Sequence, residues 1–116
     1  MLMWTLFIGH GIGDWLLQNG KWAKEKTTNE NYLVLHSLIY ALCVILLLLT
    51  YKIISFHLLF AIFIILWISH IIIDSREPTI GWIKHIKLDK NPPVWLIFVI
   101  DQWFHIIILY IIARLI

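Results

Sequence analysis

The chain has 116 residues, of which 61% are hydrophobic and 14% charged, with a mean hydropathy of +0.87. A soluble domain is roughly 45–50% apolar, so this composition points to one domain, residues 1–116, with the lipid bilayer as its solvent. A net charge of +2 argues against nucleic acid as a partner, and the single Cys43 excludes an internal disulfide.

Four apolar segments follow in chain order, each near the ~20 residues that a helix needs to cross a bilayer. They run approximately over 2–18, 33–51, 56–74 and 94–113. No cleavable signal peptide is read in the first, which lacks a basic leader and already carries His10 and Asp14. Its Gly9 and Gly13 form a small-x-x-x-small face that permits close helix approach. Residues 19–32 form a polar, basic connection, with Thr28 or Asn29 as N-cap of the second helix. Cys43, inside that helix, reads as a small buried hydrophobe. The connection at 52–55 is so short that the second and third helices must form an antiparallel hairpin. Residues 75–93 make a long third connection, in which Ile80, Trp82, Ile83 and Ile86 interleave with Lys84 and Lys87, as in a segment lying at the membrane interface. Asn91-Pro92-Pro93 then opens the fourth helix, because proline suits a first turn. The expected fold is an all-α, four-helix up-and-down transmembrane bundle.

Basic residues set the expected orientation. Lys21, Lys24, Lys26, Arg76, Lys84, Lys87 and Lys90 lie in the first and third connections, against Lys52 and Arg114 on the other side. The positive-inside rule puts those two connections in the cytoplasm and both termini outside the inner membrane. Trp22, Trp82 and Trp95 fit an aromatic belt near them.

Three pairs at a spacing of four interrupt the apolar segments: His10/Asp14, His70/Asp74 and Asp101/His105, with His36 in the second segment. That spacing puts both members of a pair on one helix face. An Asp at the centre of a membrane helix costs about 2.5–3.5 kcal/mol to insert, whereas a polar contact between such helices returns about 0.6 kcal/mol. Hydrogen-bonded glue alone does not offset three carboxylates. Counted at 1.5 Å per residue from the cytoplasmic helix ends, Asp14, His36 and His70 lie about 6–7 Å deep, Asp101 about 10 Å, His10 about 12 Å and His105 about 16 Å, with Asp74 at the border. All seven therefore fall in one half of the bilayer.

Imidazole and carboxylate suit a divalent transition metal, zinc first and manganese or iron as alternatives. The expected ligands are His10, Asp14, His36, His70, Asp74, Asp101 and His105. Either two metals are bound, or some aspartates act behind the ligands or as bases. Asp101 and Asp14 are the candidate catalytic residues, one serving as general base toward metal-activated water. Arg76, Lys84 and Lys87 suggest a lipid or phosphate-bearing substrate. The expected function is a membrane-embedded, metal-binding hydrolase at the cytoplasmic leaflet. The alternative is transport or binding of a divalent cation or protons, since His/Asp chains also form relays. Gln18, Tyr40 and Gln102 are weaker candidates, Gln102 because it sits on a different helix face from Asp101. His57 and His85 fall away from the cluster.

The ordered motifs H-x-x-x-D-W-L-L-Q from His10, K-W-A-K-x-K from Lys21, L-H-S-L-I-Y around His36, H-x-x-x-D from His70 and D-Q-W-x-H from Asp101 resemble the domain-of-unknown-function family 3307. That resemblance implies a small bacterial or phage multi-pass membrane protein. It marks His10, Asp14, Gln18, Lys26, His36, His70, Asp74, Asp101, Gln102 and His105 as motif positions. The family's third motif usually continues with lysine, and Arg76 stands in its place here. The style of the sequence is also similar to membrane-bound metal-dependent hydrolases, by analogy alone.

Overall fold

The structure is a computed structural model that describes residues 1–18, 20–51 and 53–116, without the side chain of Trp22. Asn19 and Lys52, placed above in connections, and the Trp22 ring assigned to the belt lie outside the described residues. All regular structure among the described residues is helical: α1 (Leu2–Gly11) running into a π-helical turn (Ile12–Leu16), α2 (Gly20–Glu25), α3 (Glu30–Tyr51), α4 (Phe56–Asp74), α5 (Glu77–His85) and α6 (Val94–Leu115). Of these, α3, α4 and α6 are long and apolar enough to cross a membrane. The first apolar segment is shorter than expected, because regular α-geometry stops at Gly11 and the π-turn ends at Leu16.

Local chemistry accounts for the boundaries. The Asn29 side chain accepts from the backbone N–H groups of Asn31 and Tyr32, which starts α3 three residues before the expected Leu33. Ser55 caps α4 in the same way through Leu58 N–H. Pro93 precedes α6 in extended conformation. The basic connection contains the short α2, and the expected interfacial segment is the amphipathic α5, which buries Thr79 and Ile83 and leaves Trp82 exposed. Between α4 and α5 the chain turns through Arg76 at φ 65°, a left-handed conformation more often given to glycine.

The helices close a ring. The α1 segment packs on α3 and α6, α4 packs on the same two, and α5 bridges α4 and α6. Glycine permits the tightest of these contacts. A Cβ on Gly13 would stand 2.9 Å from Tyr40 Cα, and one on Gly9 would stand 3.0 Å from Val44 Cα. Cys43, expected to be buried, is half-buried because it flanks that same contact.

Large apolar side chains cover the outside while charged and polar ones gather in part of the interior. Trp4, Leu46, Phe60, Trp103 and Tyr110 are exposed on the outer faces, while His10, Asp14, His36, His70, Asp74 and His105 are buried. An apolar plug of Leu6, Val44, Leu48, Ile62, Leu66, Leu109 and Ile112 fills the rest of the interior. An apolar exterior around a polar centre is the pattern a bilayer solvent favours.

Candidate metal centre

Four elements deliver the cluster: the π-turn brings Asp14, α3 brings His36, α4 brings His70 and Asp74, and α6 brings Asp101, Gln102 and His105. The π-turn matters locally, since a wider turn changes the direction in which Asp14 leaves the helix; such turns recur at functional sites.

The aspartates and histidines meet chiefly across helices. His36 Nε2 lies 3.1 Å from Asp14 Oδ1, 3.2 Å from Asp74 Oδ2 and 3.1 Å from His70 Nε2. His70 Nε2 lies 3.6 Å from the same oxygen of Asp14 and 3.3 Å from that of Asp74. Zinc with bonds of 2.0–2.1 Å makes a tetrahedron whose edges are about 3.3–3.4 Å. Five of the six edges among these four atoms, at 3.1–3.6 Å, are thus close to those of such a cage, and all four atoms lie within 4.8 Å of one another. One imidazole proton bridges only one pair of them, whereas a divalent cation at the centre satisfies all four and balances two carboxylates. Asp14, His36, His70 and Asp74 form a group able to hold a metal ion, and Asp74, Asp101 and His105 form a second.

Neighbouring side chains fix the cage. Lys26 Nζ donates to Asp74 Oδ2 at 2.6 Å. With its amide oxygen facing Lys26 at 3.1 Å, Gln18 donates to the Asp14 carbonyl at 3.2 Å. The Tyr40 ring stacks on His70 at 3.7 Å between centroids and 15° between planes. That stacking, rather than a bond at His70 Nδ1, orients this imidazole, because Nδ1 has no partner among the described residues.

Gln102 decides the tautomer of His10. Its amide nitrogen faces Asp14 Oδ2 and Asp101 Oδ2, each at 3.3 Å, so the amide oxygen must be the atom 2.9 Å from His10 Nε2. A carbonyl oxygen only accepts, so His10 Nε2 carries the proton, and the lone pair of this ring sits on Nδ1, which is buried and without a partner among the described residues. The closest approach of His10 to Asp14 is 4.0 Å, and His10 belongs to neither metal-capable group. The structure gathers six of the seven expected ligands into the two groups, with His10 buried beside them. His57 and His85 are exposed, away from the cluster.

A cavity of about 250 Å³ opens beside the centre. Asp14, Gln18, Lys26, Asp74, Arg76, Asp101 and Gln102 form its polar side, and Trp15, Val94, Ile97 and Phe98 its apolar side. Its cations are Lys26 and Arg76, whereas the expected Lys84 and Lys87 lie exposed elsewhere. Lys26 and Gln102 were the residues that spacing undervalued. The signal for both was their place in the ordered motifs.

An all-helical protein with membrane-length apolar helices and a buried His/Asp centre is the class that this fold and site define. The chain belongs to the family described as Protein of unknown function (DUF3307), which matches residues 2–116. Comparison with curated proteins and with solved structures finds no match.

Proposed function

We propose that the chain is an integral membrane protein that holds a divalent transition metal, zinc above manganese or iron, and hydrolyses a phosphate-bearing lipid at the cytoplasmic leaflet. The observation that carries this reading is the 3.1–3.6 Å approach of His36 and His70 to each other and to Asp14 and Asp74, next to a cavity lined by Lys26 and Arg76. In this reading the α1 segment with its π-turn, α3, α4 and α6 form one four-helix bundle, with both termini outside and α2 and α5 at the cytoplasmic surface. Single cysteines at residue 24 and at the C-terminus should then label from opposite sides of intact cells. Labelling of both from outside would sink this topology.

The cavity supports the substrate class. Lys26 and Arg76 offer charge to a phosphate, while Trp15, Val94, Ile97 and Phe98 offer an apolar wall to acyl chains. A cation held by these His and Asp side chains would supply water of lowered pKa, about 7. Hydrolysis would add the water oxygen to phosphorus, break the phosphoester P–O bond and leave the proton on the departing alcohol, with Lys26 and Arg76 placed to hold the phosphate. Asp14 belongs to the cage, so Asp101 on the cavity wall is the carboxylate left to serve the reaction.

Cation transport is disfavoured by the apolar plug, whose buried aliphatic side chains stand between the centre and the opposite end. The discriminating experiment uses purified protein in vesicles containing phosphatidic acid. Metal-dependent release of phosphate, lost in Asp101→Asn by two or more orders of magnitude with folding retained, is the expected result. Ion flux without turnover would favour the transporter instead.

A further inference from the structure

We propose that the centre is binuclear: a second divalent cation is held by Asp74 Oδ1, His105 Nε2 and the Asp101 carboxylate, with Asp74 bridging it to the cage. This rests on the metal-binding reading above and adds the position where a substrate would meet metal.

The inference begins with two atoms that lack partners. Asp74 Oδ1 and His105 Nε2 are both buried and without a hydrogen bond among the described residues. They face each other at 3.5 Å, too long for a hydrogen bond but close to the edge of a metal's coordination shell. Leaving a buried carboxylate oxygen and a buried ring nitrogen unsatisfied is costly, and a shared cation satisfies both.

The tautomer of His105 agrees with this assignment. Its Nδ1 lies 2.9 Å from the Asp101 carbonyl oxygen, which can only accept. Nδ1 therefore carries the proton, and Nε2 presents its lone pair toward Asp74. A metal-ligating histidine characteristically donates its other N–H to a carbonyl or carboxylate in this way. On the other side of the bridge, Asp74 Oδ2 faces His36 and His70. One carboxylate thus turns one oxygen to each group.

The two positions differ in openness. The cage offers four protein ligands, the number that closes a structural zinc site. The second group offers three, the number that leaves room for water or substrate. Two of its members, Asp74 and Asp101, line the cavity. The closed cation would organise the bundle, and the open one would present water to a phosphate held near Lys26 and Arg76. Asp101 then acts as a ligand at the reacting position, which replaces the expectation of an uncoordinated general base.

The full-length chain, purified in detergent and stripped with chelator, is titrated with Zn(II), and bound metal is counted per chain. Two equivalents are expected for the wild type, and one for His105→Ala and for Asp101→Asn. A variant that unfolds would lose both, so wild-type protein loaded with Mn(II) supplies a second readout. Two cations sharing Asp74 at about 3.5–4 Å should give the EPR spectrum of a spin-coupled pair. One equivalent with an uncoupled spectrum in the wild type would overturn the second site and leave the cage standing. No uptake by folded wild-type protein would overturn both.

Discussion

Replacing Asp74 with alanine is expected to abolish cation uptake and to destabilise the bundle by about 3 kcal/mol, the loss typical of breaking a buried ion pair. Asp74 is fully buried and supplies an oxygen to both metal-capable groups, so no other single residue removes as many ligand atoms. It also holds Lys26 Nζ at 2.6 Å, and the ammonium left behind would have little water, its side chain being 12% exposed. Thermal unfolding in detergent, read together with bound metal, separates the two effects. Adding Lys26→Met should restore much of the stability by removing the stranded charge, yet leave uptake abolished. Asp74→Ala protein that binds metal like the wild type would refute the assignment.

His70→Ala should lower cation affinity by one or more orders of magnitude, because it removes one corner of the cage. His57→Ala and His85→Ala should leave affinity unchanged, both being exposed and away from the cluster. Wild-type affinity should itself fall with pH, and its margin over His70→Ala should narrow, since the variant has one competing imidazole fewer. Protons compete for the Nε2 lone pairs of His36 and His70, so binding a cation releases protons and lower pH opposes it. Competition titration against a chelator indicator at two pH values measures both effects. Equal losses from His57→Ala and His70→Ala would mean that adventitious surface histidines bind the metal.

The centre was legible because its ingredients are so ill suited to their surroundings. An aspartate inside apolar sequence is costly, and a spacing of four assigns each His/Asp pair to one helix face. Antiparallel connections then bring the pairs to one depth. Partner choice was less legible, since the contacts cross between helices: Asp14 meets His36 rather than His10, and Asp74 meets Lys26 across 48 positions. Lys26 had served as a positive-inside charge and, through the resemblance, as a motif position, with no partner assigned to it. Gln102 was set aside because it neighbours Asp101 on another face, yet its long amide reaches both Asp101 and Asp14. A helical wheel carries no side-chain length. Nor does it carry tautomers: Gln102 occupies His10 Nε2, which leaves Nδ1 as the only lone-pair nitrogen of that ring. The π-turn escaped notice because apolar periodicity differs little between a π-turn and an α-turn over five residues.

The central claim is that the buried His/Asp cluster exists to hold metal. Its most direct measurement is the metal content of full-length protein purified without chelator, by elemental analysis of a folded, monodisperse sample. We predict at least one equivalent of zinc, manganese or iron per chain, removed by chelator and restored on adding back the ion. Protein that stays folded, contains none of these metals and takes up none when each is supplied would contradict the account, leaving a hydrogen-bonded His/Asp bundle in its place.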